Sequence, residues 1–288
     1  MNGGRAMEQK WPQEIWLVRH GQSAGNVARD AAEAAKGLMI GIAERDIDVP
    51  LSDLGVQQSQ ALADWFAAMP QRAQPNVVLH SPYLRAAETA RIVLHAIDRA
   101  AMNDPPPVGG EAAGEVTSQV DERLREKEFG ILDRLTIHGI SQRYPDLYQQ
   151  RQHVGKFYLR PPGGERWCDV ILRLRSVIDT ITRDYARQRV LIVGHQVTIN
   201  CFRYLLERLD EATILAYDRS ADMPNCSVTS YRFDPRQGER GKLALDLVNF
   251  AAPLEAAGAT VTLSKDVPAA PKAQETSPDG HADLIHEC

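Results

Sequence analysis

Residues 15–21 read Ile-Trp-Leu-Val-Arg-His-Gly, a short apolar run that leads directly into two basic side chains and a glycine. An apolar run of this length, bounded by glycine, is typical of a strand that is buried on both faces of a sheet. The pattern recurs at 77–80 and 190–193, where runs rich in Val, Leu and Ile also lead into polar segments. Three such strands separated by helical patterns predict an α/β protein.

Helical patterns lie between these strands. In residues 169–188, apolar side chains recur at three- and four-residue steps, which is the period of an amphipathic helix. Ser52 and Ser81 each precede a further helical pattern as candidate N-caps. Residues 227–233 and 243–250 predict a closing pair of strands. Together these elements predict a three-layer α/β/α sandwich with a mostly parallel central sheet.

A single domain is expected to account for most of the chain. We expect it to span residues 14–252, with a cap-like insertion at about 99–166, where a Pro- and Gly-rich loop precedes a mixed stretch rich in Arg and Tyr. Residues 1–13 are expected to form a flexible leader. Residues 253–288 are rich in Ala, Pro and acidic residues, a composition that buries too little apolar surface to fold. We therefore expect a disordered tail there.

Composition and charge exclude several classes of protein. The 288 residues include 33 Lys and Arg against 38 Asp and Glu, so the formal net charge is −5. This balance lacks the positive field that binds nucleic acid through overall charge. No stretch approaches the roughly 18 consecutive apolar residues of a membrane span. The sequence therefore predicts neither a nucleic-acid partner nor a membrane partner.

Cysteine usage indicates the compartment. The four cysteines, Cys168, Cys201, Cys226 and Cys288, form no C-x-x-C pair and no framework of the secreted type. We therefore expect free thiols in a reducing cytoplasm. The sequence does not fix the oligomeric state, and a homodimer is left open.

Polar residues that could serve one site follow each of the three predicted strands. Arg19 and His20 follow the first strand, Arg85 lies shortly after the second, and His195 follows the third. Ligands of open α/β sheets bind beyond the carboxyl ends of the strands, where these side chains would converge. Two guanidiniums and two imidazoles suit a dianion, and the planar fork of Arg matches phosphate oxygens. The pattern predicts a phosphate site.

The segment Arg19-His20-Gly21-Gln22-Ser23-Ala24-Gly25-Asn26 resembles the signature of the histidine phosphatase superfamily, also called phosphoglycerate mutase-like. The segment 81–90 resembles its second block, and Gly194-His195 resembles its third. Residues 161–165, Pro-Pro-Gly-Gly-Glu, resemble a further family segment, so that the resemblance covers about Glu14 to Phe250. The family fold agrees with the α/β sandwich predicted above.

The resemblance implies a chemical role for each matching residue. His20 would attack phosphorus in line and become a phosphohistidine, with His195 as a second catalytic residue. The phosphate oxygens would be held by Arg19, Arg85, Asn26 and Gln196, together with His195. Phosphoryl transfer depends chiefly on positioning and charge stabilisation, so such a pocket needs no metal and no cofactor. A small phosphorylated metabolite is the expected substrate.

A general acid must protonate the leaving alcohol, and Glu126 and Glu128 are the two candidates. From the residues alone the choice stays open, because side chains two positions apart share a face on an extended segment. The resemblance selects Glu126, which lies four residues before Gly130. Lys156, Tyr158 and Arg160 form a further hypothesis, as residues at the mouth of the pocket.

Two departures from the family pattern bear on the reaction. Arg134 stands where many members have a second glycine, and the basic segment typical of cofactor-dependent mutases is missing after it. These departures favour hydrolysis by water over a phosphoglycerate mutase reaction, which is the alternative. A non-catalytic module that binds phosphorylated partners is a third interpretation, although His20 is retained. A metal-dependent hydrolase is a fourth, disfavoured because two His beside Arg make a poor metal site.

Overall fold

One six-stranded sheet organises the described part of the protein, residues 9–103, 116–220 and 222–263 of a computed structural model. In chain order the strands are β1 (Glu14–Arg19), β2 (Val77–His80), β3 (Thr117–Val120), β4 (Arg189–Gly194), β5 (Val228–Asp234) and β6 (Lys242–Phe250). Their spatial order is β3-β2-β4-β1-β5-β6. The first four in this order run parallel, and β5 and β6 continue the sheet antiparallel. The predicted sheet and its closing pair are thus confirmed.

Helices cover both faces of the sheet because side chains alternate along each strand. Ile15 and Leu17 belong to the core on one face, whereas Trp16 and Val18 belong to the core on the other. The helices are α1 (Ala24–Ala34), α2 (Asp53–Ala67), α3 (Leu84–Asn103), α4 (Ile137–Arg143), α5 (Pro145–Val154), α6 (Trp167–Asp184), α7 (Gln196–Leu206), α8 (Glu211–Ser220) and α9 (Ala252–Ala256). Apolar residues of α6 and α7 fill the first core, and those of α2 and α3 fill the second. The three-layer α/β/α sandwich is confirmed.

The parallel strands β1, β2 and β4 end at one edge of the sheet. Arg19 pairs with Gly194 across β1 and β4, and His80 pairs with Val193 across β2 and β4. The ladder continues by one step, since the amide of His20 donates to the Gly194 carbonyl at 3.0 Å. The residues that follow the three strands therefore share this carboxyl edge, and the candidate site lies there.

The expected insertion at about 99–166 begins too early. The helix α3 continues to Asn103, and β3 joins the sheet by pairing parallel with β2. All four side chains of β3, in the sequence Thr-Ser-Gln-Val, are exposed, so this edge strand has no apolar pattern from which it could be predicted. The Pro- and Gly-rich loop at 104–114 lies outside the described residues. The segment that follows β3 contributes one wall of the pocket described below.

Both expected boundaries of the domain need correction. Residues 11–13 are tied to the fold by backbone hydrogen bonds, including one from Gln13 to Gln188 at 2.7 Å. Residues 253–263 are also part of the domain, because α9 places a fully buried Leu254 against the second core. The rest of the expected leader and tail, 1–8 and 264–288, lies outside the described residues. Within the described ranges, no helix has the length and apolarity to cross a membrane.

Candidate active site

A pocket opens at the carboxyl edge of the sheet. Six of the seven residues that the sequence predicts for the site line it, namely Arg19, His20, Asn26, Arg85, Glu126 and Gln196. The seventh, His195, lies directly behind, with its ring centroid 5.1 Å from that of His20. Residues separated by more than 170 positions in the chain thus meet because three parallel strands end together.

His20 has the protonation state of a nucleophile. Its Nδ1 lies 2.7 Å from the carbonyl oxygen of Gly21, and because a carbonyl only accepts, Nδ1 carries the proton. The Nε2 atom therefore keeps its lone pair. Burial lowers the pKa of His20 well below its ordinary value, and the positive charges of Arg85 and Arg19 lower it further. The imidazole is consequently neutral at physiological pH.

His195 is oriented by Ser81. Its Nε2 lies 2.8 Å from the Ser81 hydroxyl oxygen, which also accepts from the backbone amide of Tyr83 at 3.2 Å. The hydroxyl proton is thus available for Nε2, an arrangement that favours a proton on Nδ1 of His195. That Nδ1 is buried and has no hydrogen-bond partner among the described residues. The pKa of His195 is lowered mainly by burial and then by Arg85 and His20, so the ring can act as a neutral donor.

The arginines and amides complete a set of donors. Arg19 and Arg85 are both buried, and the Arg85 guanidinium also lies over the Tyr83 ring, 4.9 Å from its centroid. Asn26 accepts from Ser23 through Oδ1 as part of the N-terminal cap of α1, which leaves its amide nitrogen for a ligand. Gln196, the first residue of α7, has a buried Oε1 to which no group in the described ranges donates. These groups can surround the oxygens of one phosphoryl group.

The structure places Glu126, and not Glu128, at the two histidines. Glu126 lines the pocket, and its Oε2 lies 3.8 Å from Nδ1 of His195. The side chain of Glu128 is 46% exposed and lies outside the pocket lining, where it accepts from the Tyr83 hydroxyl at 3.2 Å. Glu126 alone of the two is therefore positioned to exchange a proton with a substrate held by His20.

Glu165 fixes the segment that carries Glu126. It accepts hydrogen bonds from Arg173, Arg125 and the backbone amide of Glu128 at 3.0–3.2 Å. Although burial alone would raise the pKa of Glu165, the hydrogen bonds and charge of Arg173 lower it below its ordinary value. Arg173 in turn donates to the backbone oxygen of Glu126 at 3.3 Å. The network thus connects α6 to the candidate general acid.

The structure adds residues that the sequence analysis missed. Asp46 contacts Arg85 inside the pocket, and Asn225 donates from its side chain to the backbone oxygen of His20 at 3.0 Å. Both lie in loops without a motif, so no sequence signal could have selected them. Arg29 also lines the pocket, and its position one turn after Asn26 on α1 is a signal that helical spacing could have supplied.

The hypothesis that Lys156, Tyr158 and Arg160 line the pocket mouth is wrong. Lys156 forms an ion pair with Asp218, and Arg160 forms one with Asp169, so both positive charges are engaged elsewhere. None of the three residues contributes to the pocket lining. In the part of the chain that the structure describes, no group of three or more His, Cys, Asp or Glu side chains is placed to hold a metal ion.

Known proteins are similar to this chain in sequence and in fold. The 6-phosphofructo-2-kinase/fructose-2,6-bisphosphatase of Caenorhabditis elegans is 29% identical over 243 residues, which cover 79% of this chain and 43% of that protein. A probable phosphoglycerate mutase of Yersinia pestis is 25% identical over 221 residues, covering 75% of this chain and 83% of that protein. A solved structure of a mycobacterial glucosyl-3-phosphoglycerate phosphatase has a TM-score of 0.60 at 24% identity, covering 83% of this chain and 99% of that one.

Family membership follows from a match along most of the domain. The chain spans less than half the length of the C. elegans relative, so that similarity is confined to one part of a larger protein. The profile of the histidine phosphatase superfamily (branch 1) matches residues 15–106 and 107–245, which include the whole convergent site. The chain belongs to the histidine phosphatase superfamily.

Proposed function

We propose that this protein is a phosphomonoester hydrolase that acts through a phosphohistidine on His20. One observation carries the proposal, namely the unprotonated Nε2 of a neutral, buried His20 beside Arg19 and Arg85. A nucleophile must have a free lone pair, and a phosphoryl dianion requires fixed positive charge around it. The pocket supplies both at the same edge of the sheet.

The reaction would proceed in two balanced steps. His20 Nε2 forms a bond to phosphorus while the ester P–O bond breaks, and Glu126 donates its proton to the leaving alkoxide. Water then attacks the phosphohistidine, Glu126 takes a proton from that water, and the N–P bond breaks to release inorganic phosphate. Arg19, Arg85 and the Nδ1–H of His195 stabilise the charge on the phosphoryl oxygens in both steps.

Hydrolysis is proposed over mutase activity because of the pocket wall. A mutase must hold a second hydroxyl of a phosphorylated acid at the phosphohistidine, whereas hydrolysis needs only water. The position that departs from the family pattern, Arg134, donates to the backbone oxygens of Ile42 and Glu44 rather than offering its charge to a ligand. Residues 135–139, which follow Arg134, contain no Lys or Arg that could hold the substrate acid of a mutase.

The setting of the reaction is part of the same proposal. Cys168, Cys201 and Cys226 are unpaired thiols, as expected in a reducing cytoplasm. The chemistry at the pocket uses guanidiniums and imidazoles, so we propose that turnover requires no metal ion. The substrates would be small phosphorylated metabolites, in line with the names of the bisphosphatase and phosphoglycerate phosphatase to which the chain is similar.

Rapid-quench labelling tests the proposal. With a phosphorus-labelled aryl phosphate, the protein should form an acid-labile phosphoenzyme within one turnover, and His20→Ala should abolish both the label and turnover, by at least ~10⁴-fold. His153→Ala, which removes an exposed imidazole on α5, is the matched control and should keep both. Activity should also survive a chelator. Unchanged turnover in His20→Ala, with a native circular dichroism spectrum, would refute the proposal.

A further inference from the structure

Asp46 holds the arginine that a phosphoryl group would need. Arg85 donates from Nη1 to Asp46 Oδ1 at 3.0 Å and to the Asp46 backbone oxygen at 2.6 Å, and its Nη2 lies 3.5 Å from Oδ2. Both residues line the same pocket as His20. The carboxylate therefore occupies donors of the guanidinium fork through which an arginine binds a phosphoryl group.

Arg134 fixes the loop that carries Asp46. Its Nη1 donates to the Ile42 carbonyl at 3.2 Å, its Nη2 donates to the Glu44 carbonyl at 2.6 Å, and its own carbonyl accepts from the Ile40 amide at 2.8 Å. Arg134 has a φ of +59°, a left-handed conformation that is unfavourable for a residue other than glycine. Such a conformation persists where surrounding contacts enforce it. These contacts hold in place the loop that carries the Asp46 carboxylate.

Binding of a phosphomonoester would change the surroundings of Asp46. The phosphoryl oxygens would take donors of Arg85, which leaves the Asp46 carboxylate next to an anion and short of hydrogen-bond donors. A substrate hydroxyl close to the ester can donate to that carboxylate and replace the lost hydrogen bond. A substrate carboxylate or second phosphate in the same place would meet Asp46 as a like charge.

The outer wall of the pocket does not compensate for this repulsion. Beyond the residues assigned to the phosphoryl group, its charged lining residues are two arginines, Arg29 and Arg134, and three acidic residues, Glu44, Asp46 and Asp133. Arg134 is committed to backbone carbonyls. The outer wall therefore has no excess of positive charge with which to attract a second anionic group.

We propose that Asp46 is a specificity-determining residue that selects phosphomonoesters of sugars or other polyols and rejects those that carry a carboxylate or a second phosphate near the ester. This inference rests on the proposed function and names its substrate class. The Asp46 carboxylate would have two opposite effects on binding. It accepts a hydrogen bond from a substrate hydroxyl near the ester, and it repels a substrate anion in the same place.

Calorimetry on His20→Ala protein tests the proposal without turnover. Three ligands share a phosphoester on a three-carbon chain: glycerol 3-phosphate carries two hydroxyls, n-propyl phosphate carries none, and 3-phosphoglycerate has a carboxylate in place of the terminal hydroxymethyl group of glycerol 3-phosphate. With Asp46 present, glycerol 3-phosphate should bind about tenfold more tightly than either of the others, a difference of about 1.4 kcal/mol. Asp46→Asn should bring glycerol 3-phosphate and 3-phosphoglycerate within about threefold of each other.

Control variants separate this effect from a general change in the loop. Asp48→Asn removes a carboxylate from the same short turn, but that carboxylate pairs with exposed Arg45 outside the pocket lining. In this variant the ratio of the Kd of 3-phosphoglycerate to that of glycerol 3-phosphate should therefore stay near tenfold. Asp46→Ala should reproduce the shift seen in Asp46→Asn. The proposal would be overturned if this Kd ratio were the same in the His20→Ala protein and in its Asp46→Asn, Asp46→Ala and Asp48→Asn derivatives. Tighter binding of 3-phosphoglycerate than of glycerol 3-phosphate when Asp46 is present would also overturn it.

Turnover then distinguishes failure of this inference from failure of the proposed function. A protein that shows the Asp46-dependent binding ratio but forms no phosphohistidine would retain the specificity role and contradict the hydrolase. A protein that forms the phosphohistidine but hydrolyses glycerol 3-phosphate and 3-phosphoglycerate with a kcat/KM ratio insensitive to Asp46→Asn would remain a hydrolase and contradict the specificity role.

Discussion

Burial and charge act in the same direction on the two active-site histidines. For His20 burial is the largest cause of the lowered pKa, and the neighbouring Arg85 and Arg19 add to it. The same order holds for His195, where burial again exceeds the effect of Arg85. The arginines that would bind phosphate thus also favour the unprotonated form of His20. We expect the rate to persist at pH values where a free imidazole would already be protonated.

The neutral histidines should make stability depend on pH. Their pKa values in the folded protein lie below the value near 6.5 of the unfolded chain, so below that pH the unfolded state binds more protons. Their stabilising contribution is therefore complete above about pH 6.5 and is lost as the pH falls. At pH 5.5 we therefore expect a lower free energy of unfolding than at pH 7.5, because only the unfolded chain gains protons at these histidines.

Urea unfolding at pH 7.5 and 5.5 measures this dependence. His195→Gln should remove about half of the difference between the two pH values, because one of the two titrating groups is gone. The exposed His153 offers the comparison, since His153→Gln should leave the difference unchanged. Equal stability of the native protein at both pH values would contradict the neutral state of the pair.

The role of Glu126 predicts a dependence on the leaving group. Glu126→Gln keeps the shape of the side chain but cannot donate the proton that a poor leaving group requires. We expect kcat/KM to fall by about 10²-fold for glycerol 3-phosphate and only a few-fold for p-nitrophenyl phosphate, whose phenolate leaves unaided. Glu128→Gln is the matched control and should affect both substrates little. If Glu126→Gln lowered kcat/KM equally for the two substrates, Glu126 would be excluded as the general acid.

Residues adjoining the buried strands could be predicted, and those on irregular loops could not. Strand periodicity locates Arg19, His20 and His195, because each lies at or next to the carboxyl end of a strand. Asp46 reaches the pocket from a loop whose course is set by tertiary contacts with Arg85 and Arg134, and a linear sequence carries no sign of them. The acidic side chain beside Arg85 therefore could not be predicted from the sequence, whereas the convergence of Arg19, His20 and His195 could.

At the scale of elements, the segment 123–130 depends on α6 for its position. It carries the candidate general acid but contains no α-helix or strand, only parts of two short 3₁₀ turns, Glu122–Leu124 and Gly130–Leu132. Glu165 and Arg173 supply the missing support, since both are largely buried and Arg173 donates to the backbone of this segment. At Gly130 the φ is +57°, and a Cβ would collide with the Pro162 carbonyl oxygen, which is why glycine is required there.

Removal of the Glu165 carboxylate should therefore lower both the stability of the fold and the rate of turnover. Glu165→Ala leaves Arg173, whose side chain is only 10% exposed, without its carboxylate, and we expect a loss of about 3 kcal/mol in the free energy of unfolding. Turnover should also fall, because Glu126 is no longer held in place. The exposed pair Arg183–Asp184 gives the control, and Asp184→Ala should cost less than about 1 kcal/mol in urea unfolding. Similar losses in the two variants would contradict the supporting role of Glu165.

At the scale of the whole molecule, the strongest apolar patterns gave correct predictions and the polar or mixed segments did not. The runs in β1, β2 and β4 are buried, so their sequences reflect their surroundings directly. Residues 253–263 have the composition of a tail, yet Leu254 is fully buried against the second core and Thr262 is hydrogen-bonded to Asn225 and Gln58. The average composition of a segment does not reveal a few specific contacts of this kind. For that reason the sequence predicts a domain boundary at residue 252, which is too early.

This C-terminal segment connects the periphery of the fold to His20. Asn225 donates to the backbone oxygen of His20 at 3.0 Å and accepts from the Thr262 hydroxyl at 2.9 Å. Gln58 donates to the same hydroxyl oxygen at 2.8 Å and accepts from the backbone amide of Gln22 at 2.9 Å. Thr262 thus contacts both side chains that hold the turn after β1.

Two substitutions should separate the anchoring of this segment from its effect on the site. Leu254→Ala removes a fully buried side chain and should lower the free energy of unfolding by about 3 kcal/mol, with kcat unchanged at a temperature where the variant stays folded. Thr262→Val should cost about 1 kcal/mol, the worth of its hydrogen bonds, yet lower kcat several-fold because Asn225 loses its partner. If kcat followed stability in both variants, Thr262 would act on the fold alone; a fall in kcat confined to Thr262→Val establishes that the segment positions His20.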